Sequence, residues 1–191
     1  LPPETQLTPD QLDRLQRLLD KVRPSLEIAR TLADIPNGRL LIVYRADRSE
    51  SFEYVKSARK AAQLLLLNAD ARVQAGDAQD AIGSCRSAFS IGRSIGDEPT
   101  IIAQIVPVAV VAVAAQTVKR ILAQSEPNDA QLEALRKCLE IEEKHPYWSI
   151  GWRGMRALQT VSLEAMAKGT LIPIDEPDKT LPAWMDKDLA F

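Results

Sequence analysis

Apolar residues return every three to four positions along most of this chain, the period of helices that turn one face inward. Thr8-Pro9-Asp10-Gln11 opens the first of them, with Thr as N-cap, Pro at the first helical position and Gln as the capping-box partner. Leu12, Leu15, Leu18, Leu19 and Val22 then share one stripe, which predicts a helix over 9–22 broken by Pro24. Leu26, Ala29, Leu32 and Ile35 predict a second over 25–35, ended by Pro36-Asn37-Gly38. A long Ala/Leu helix over 52–75 carries Tyr54, Val55, Ala58, Ala62, Leu65, Ala69 and Val73 and stops at Gly76-Asp77. The next, over 78–95, presents Ala81, Ile82, Cys85, Ala88, Phe89 and Ile95, and Gly96-Asp97-Glu98-Pro99 turns into a helix over 99–123. Pro107 lies inside that helix, removes one donor and is expected to kink it. Asn128 with Gln131 caps a helix over 129–144, His145-Pro146 ends it, and a last helix over 147–168 stops at Gly169.

Only Arg39-Leu-Leu-Ile-Val-Tyr44 reads as extended, and no second strand-like run exists to pair with it. A lone strand is not stable, so 39–51 is expected to be an extended connector laid across helices, or to pair with its copy in a dimer. Residues 170–191 hold Pro173, Pro177 and Pro182 and should form a tail without a long helix. Leu171, Ile172, Ile174, Leu181, Trp184, Met185 and Phe191 make that tail too apolar for an idle terminus, so it is expected to dock on its own domain or on a neighbour. The expectation is an all-α protein with one helical domain over 1–169. Its seven helices would form an irregular stack of antiparallel hairpins.

The hairpin of the third and fourth helices carries the segment Ala69-Asp-Ala-Arg-Val-Gln-Ala-Gly76-Asp-Ala-Gln-Asp-Ala81-Ile82-Gly-Ser-Cys85-Arg-Ser-Ala88-Phe89. Small Ala69 and Ala81 fall where two helices must approach, Gly76-Asp77 is the turn between them, and Ala88-Phe89 completes the inner face. Over about residues 65–89 this spacing resembles a tetratricopeptide unit, and the rest of the chain resembles uncharacterised bacterial all-helical proteins. Leu65 replaces the family's aromatic near the start of the first helix, and the second helix runs past the position where a Pro would end the repeat. A fainter echo, Ala81-Ile82-x-x-Cys85 against Ala134-Leu135-x-x-Cys138, is offset by 53 positions; a true array would repeat at about 34. It places the two thiols at corresponding positions and suggests that the helices over 78–95 and 129–144 lie side by side. The resemblance implies a binding groove, whose matching positions here are Leu66, Asp70 and Val73.

Composition narrows the function. The 191 residues hold 24 Lys+Arg and 26 Asp+Glu, a net charge of −2, which supplies no basic field for nucleic acid or an anionic membrane. The run Ile101–Ala115 is the most apolar, but fifteen helical residues cover about 23 Å, short of the ~30 Å hydrocarbon core. A buried core helix, with no membrane contact, is the expectation. Cys85 and Cys138 are no disulfide framework and are expected as buried free thiols, with one interhelical bond as the alternative. The chain opens Leu1-Pro2-Pro3 without Met, which suggests that an upstream segment was removed. A signal or anchor of a cell-envelope protein is one origin, with a cytoplasmic protein as the alternative.

Few residues offer chemistry. Glu142-x-x-His145 has the spacing of a helical di-iron ligand pair, but that site wants the motif twice and His145 is the only histidine. It is expected as a solvated residue at a helix end. There is no phosphate-binding loop and no nucleophile elbow. Asp77/Asp80 and Glu140/Glu143 read as solvated pairs, and the basic residues Arg45, Arg48, Arg59 and Lys60 are offset by nearby acids. Aromatics total 5%, too sparse for base stacking or a carbohydrate strip. The sequence therefore points to a non-enzymatic interaction or scaffold module, with a protein or peptide partner, a homodimer as one option, and no cofactor or metal. The alternative is a ligand-binding or enzymatic bundle with an apolar pocket behind Pro107, lined by Ile105, Val106, Val110 and Met155, with Gln104 and the freed Ala103 carbonyl as polar contacts.

Overall fold

Local chemistry sets the helix starts. At Thr8 and at Asn128 the side chain accepts from the N3 backbone while Gln11 and Gln131 reach back to the cap, two reciprocal capping boxes. The computed structural model describes residues 2–35, 53–96 and 98–170, and every regular element among them is a helix. In order these are α1 Pro9–Lys21, α2 Arg23–Thr31 with a 3-10 turn Leu32–Asp34, α3 Glu53–Gln74 and α4 Ala78–Ser94. Then come α5 Ile101–Gln124, α6 Asp129–Lys144 and α7 Tyr147–Ala167. The expected connector over 39–51 and the tail over 171–191 lie outside the described residues.

Two prolines act differently from expectation. Pro24 sits in the first turn of α2, where a missing N–H leaves nothing unpaired, so the break falls at Val22. Pro99 stands outside α5, whose N-cap is Thr100, its hydroxyl accepting from the Ala103 N–H at 3.2 Å. Pro107 is inside α5, which continues as one helix through it.

The core centres on α3 and α4. Ala62, Leu65, Ala69, Ala81, Ala88 and Phe89 are wholly buried, so the small side chains sit where the two axes meet. Gly76, at φ +81°, makes the reversal: its N–H donates to Val73 O and that of Asp77 to Arg72 O, a Schellman pair. α5 packs on both α3 and α4. A Cβ added at Gly92 of α4 would meet Pro107 and Val110 at 3.6–3.7 Å, so α4 already fills the space beside the proline.

Beyond α5 the chain exchanges neighbours. α6 lies on α4, α7 lies on α5, and α5 has few contacts with α6, its neighbour in sequence. The side-by-side placement of α4 and α6 agrees with the echo around the two cysteines, both free and buried. α5 has 24 residues and a mean hydropathy of 2.1 in its most apolar window, so by length and composition it can cross a membrane. The length argument from Ile101–Ala115 underestimated it, because the helix continues through Gln116, Thr117, Lys119 and Arg120. Here it is flanked by α3, α4 and α7.

Candidate functional site, a cleft between α3 and α5

α3 reads Leu64-Leu-Leu-Leu-Asn-Ala-Asp70, one carboxylate arriving after a run of apolar residues. Such a charge needs a partner when it is taken out of water. The partner is Arg120, 50 positions away on α5, whose Nη1 donates to Asp70 Oδ2 at 2.7 Å. Burial raises the Asp70 carboxyl above its usual range, and the Arg120 charge and hydrogen bond work against that rise. The second oxygen of Asp70 and the Arg120 Nε are buried and have no partner among the described residues.

Around the pair, α3 and α5 leave a cleft of about 350 Å³. Leu66, Leu67 and Val113 give it apolar walls, Gln63, Gln116 and Thr117 line it with amide and hydroxyl groups, and Asp70 and Arg120 complete it. Leu67 stands 39% exposed. The arrangement is an apolar slot beside one shielded ion pair, fit for non-covalent recognition: a hydrophobic anchor in the walls and hydrogen bonds from one polar group.

Of the three groove positions taken from the resemblance, Leu66 and Asp70 line this cleft. Val73 does not; it is 2% exposed and belongs to the core. Reading the sequence missed Leu67, Arg120 and the α5 wall. The signal was present in Asp70 and Arg120, two charges on otherwise apolar helices, but spacing alone does not pair them across 50 positions. Comparison with known proteins adds nothing here. No family model, no curated protein and no solved structure matches the chain.

The residues expected around Pro107 are distributed otherwise. Val106 and Val110 are buried, Ile105 is exposed, and the α3–α5 cleft is lined by other side chains. Gln104 is wholly buried and donates to the carbonyls of Gly96 and Glu98 at 3.1 and 2.8 Å, tying α5 to the connection before it.

His145 is half-buried, which corrects the solvated reading, and its ring lies 4.1 Å from that of Tyr147. Glu142 of α6 is buried, and Arg93 of α4 and the Tyr147 hydroxyl of α7 both donate to it, the latter at 2.5 Å. Burial and the Glu142 carboxylate push the Tyr147 hydroxyl upward. These groups clamp α6 and the start of α7 onto α4. No cluster of three His, Cys, Asp or Glu able to hold a metal occurs among the described residues. Asp80 is likewise no solvated carboxylate, since Arg30 of α2 binds it at 2.6 Å and Arg72 of α3 lies at 3.7 Å. Arg45 and Arg48 lie outside the described residues.

Proposed function

We propose that the protein is a non-enzymatic interaction module, an irregular tetratricopeptide-like stack of helical hairpins that receives a peptide or partner helix in the α3–α5 cleft. The observation that carries this reading is the cleft itself: Leu66, Leu67 and Val113 present apolar surface beside the shielded Asp70–Arg120 pair. A partner of matching chemistry is an amphipathic segment that inserts an apolar side chain and sets a polar group against the ion pair. Neither the near-neutral charge nor the few aromatics favour nucleic acid.

Selection of a random peptide library on the folded protein tests the reading. Leu67→Glu should weaken the selected binders at least about tenfold, the cost expected of a charge in an apolar anchor site. Because Leu67 is partly exposed, the variant should keep its helical signal and Tm. A library that enriches nothing, or binders indifferent to Leu67→Glu, would overturn the proposal.

A further inference from the structure

On a different surface, α7 carries a helical stripe that is largely exposed. Trp148, Trp152, Met155, Gln159, Leu163 and Met166 follow one another at intervals of three or four residues and so share one side. Trp148 is 51% exposed, Trp152 59% and Leu163 65%. Arg153 and Arg156 join the two indoles around a shallow hollow of about 540 Å³. Scattered apolar side chains on a surface need no explanation, but two indoles and a leucine aligned along one helix do.

We propose that this stripe is the docking site of the chain's own residues 171–191. Three observations select that occupant. The first is direction. Gly169, at φ +67°, donates its N–H to Met166 O at 2.9 Å, and Thr170 donates to Ala165 O at 2.9 Å. This is a Schellman pair that turns the chain off the helix axis beside Met166, at one end of the stripe. The second is reach. The stripe rises about 27 Å, and 21 extended residues span up to about 70 Å. The third is complementarity. The segment carries Leu181, Trp184, Met185 and Phe191 for the apolar side, and five acidic residues against two lysines, −3 net, for Arg153 and Arg156.

The test uses Trp184→Phe, which leaves Trp148 and Trp152 as the only indoles. Acrylamide quenching is compared between the full chain and the same chain ended after Thr170. The ended chain should quench more steeply, because uncovered indoles meet more quencher, and should melt at a lower temperature. Leu181→Asp with Met185→Asp in the full chain should reproduce both changes without removing any residue. Equal quenching in the full and ended chains overturns the proposal. Protection that vanishes on dilution overturns it in favour of a second copy, and protection that appears only with anionic phosphatidylglycerol vesicles overturns it in favour of a lipid surface.

Discussion

Glycines decide how closely α7 approaches α5. A Cβ built at Gly154 would collide with the Cβ and carbonyl oxygen of Pro99, and one at Gly151 would stand 3.3 Å from Ile101 Cα. The nearest atoms in both cases include backbone, which cannot swing aside as the end of a flexible side chain can. Gly154→Ala should therefore cost about 3 kcal/mol, the upper range for overpacking against an unyielding neighbour. Gly83, in the middle of α4, is the control. Its added Cβ would meet only the flexible end of Arg30 at 3.9 Å, so Gly83→Ala should stabilise by about 0.5–1 kcal/mol through helix propensity. Urea unfolding of both variants checks the pair; shifts of the same sign would contradict the packing described. His145 supplies a second residue-scale prediction. Burial holds its ring below the ordinary 6.5, the Glu142 carboxylate opposing and Arg93 reinforcing. The ionisable ring of Tyr147 also lies beside it, at 4.1 Å. A base depressed in the folded state binds fewer protons folded than unfolded, so stability falls as pH drops from 6.5 through the folded value. His145→Asn should flatten that part of the curve, and parallel pH profiles for variant and parent would refute the assignment.

At the scale of elements, what could be read from sequence is what depends on neighbours along the chain. The Thr8 and Asn128 boxes, the Gly76 turn and the alanines of α3 and α4 each act within a turn or across one hairpin, and each is present. Errors of boundary fall where a proline admits two positions: Pro24 suits the first turn of α2 as well as the end of α1, and Pro99 yields to Thr100, which caps better. Of the pairings between distant helices, only that of α4 with α6 was legible, through the echo around Cys85 and Cys138. Periodicity shows that α5, α6 and α7 each have a buried side, but an apolar side does not name its partner. Placing α7 on α5 and α6 on α4 depends on Gly151 and Gly154 fitting against Ile101 and Pro99, and on Arg93 meeting Glu142 across 49 positions. The cleft was half legible for the same reason: its α3 wall follows from the hairpin, while its α5 wall needs the packing of α5 on α3.

Across the whole molecule, burial is uneven, and stability should be uneven with it. α4 buries ten residues, Cys85 among them, and is surrounded by α2, α3, α5 and α6. α6 buries only Leu135, Cys138 and Glu142, and its main neighbour is α4. An element held by few buried side chains opens at a free energy below that of global unfolding. Because both cysteines are free and buried, they report on the two levels. Burial, with Asp70 and Cys138 nearby, pushes the Cys85 thiol upward, so its modification requires the core to come apart. Cys138 requires only that α6 lift from α4. Alkylation followed by mass spectrometry under native conditions should modify Cys138 at least about tenfold faster than Cys85, a gap of ~1.4 kcal/mol in opening free energy. Low urea should accelerate Cys85 steeply and Cys138 weakly, because global unfolding exposes more surface than lifting α6. Equal rates with equal urea dependence would mean that α4 and α6 unfold as one unit, and that the Arg93–Glu142–Tyr147 clamp makes up for the few apolar side chains of α6.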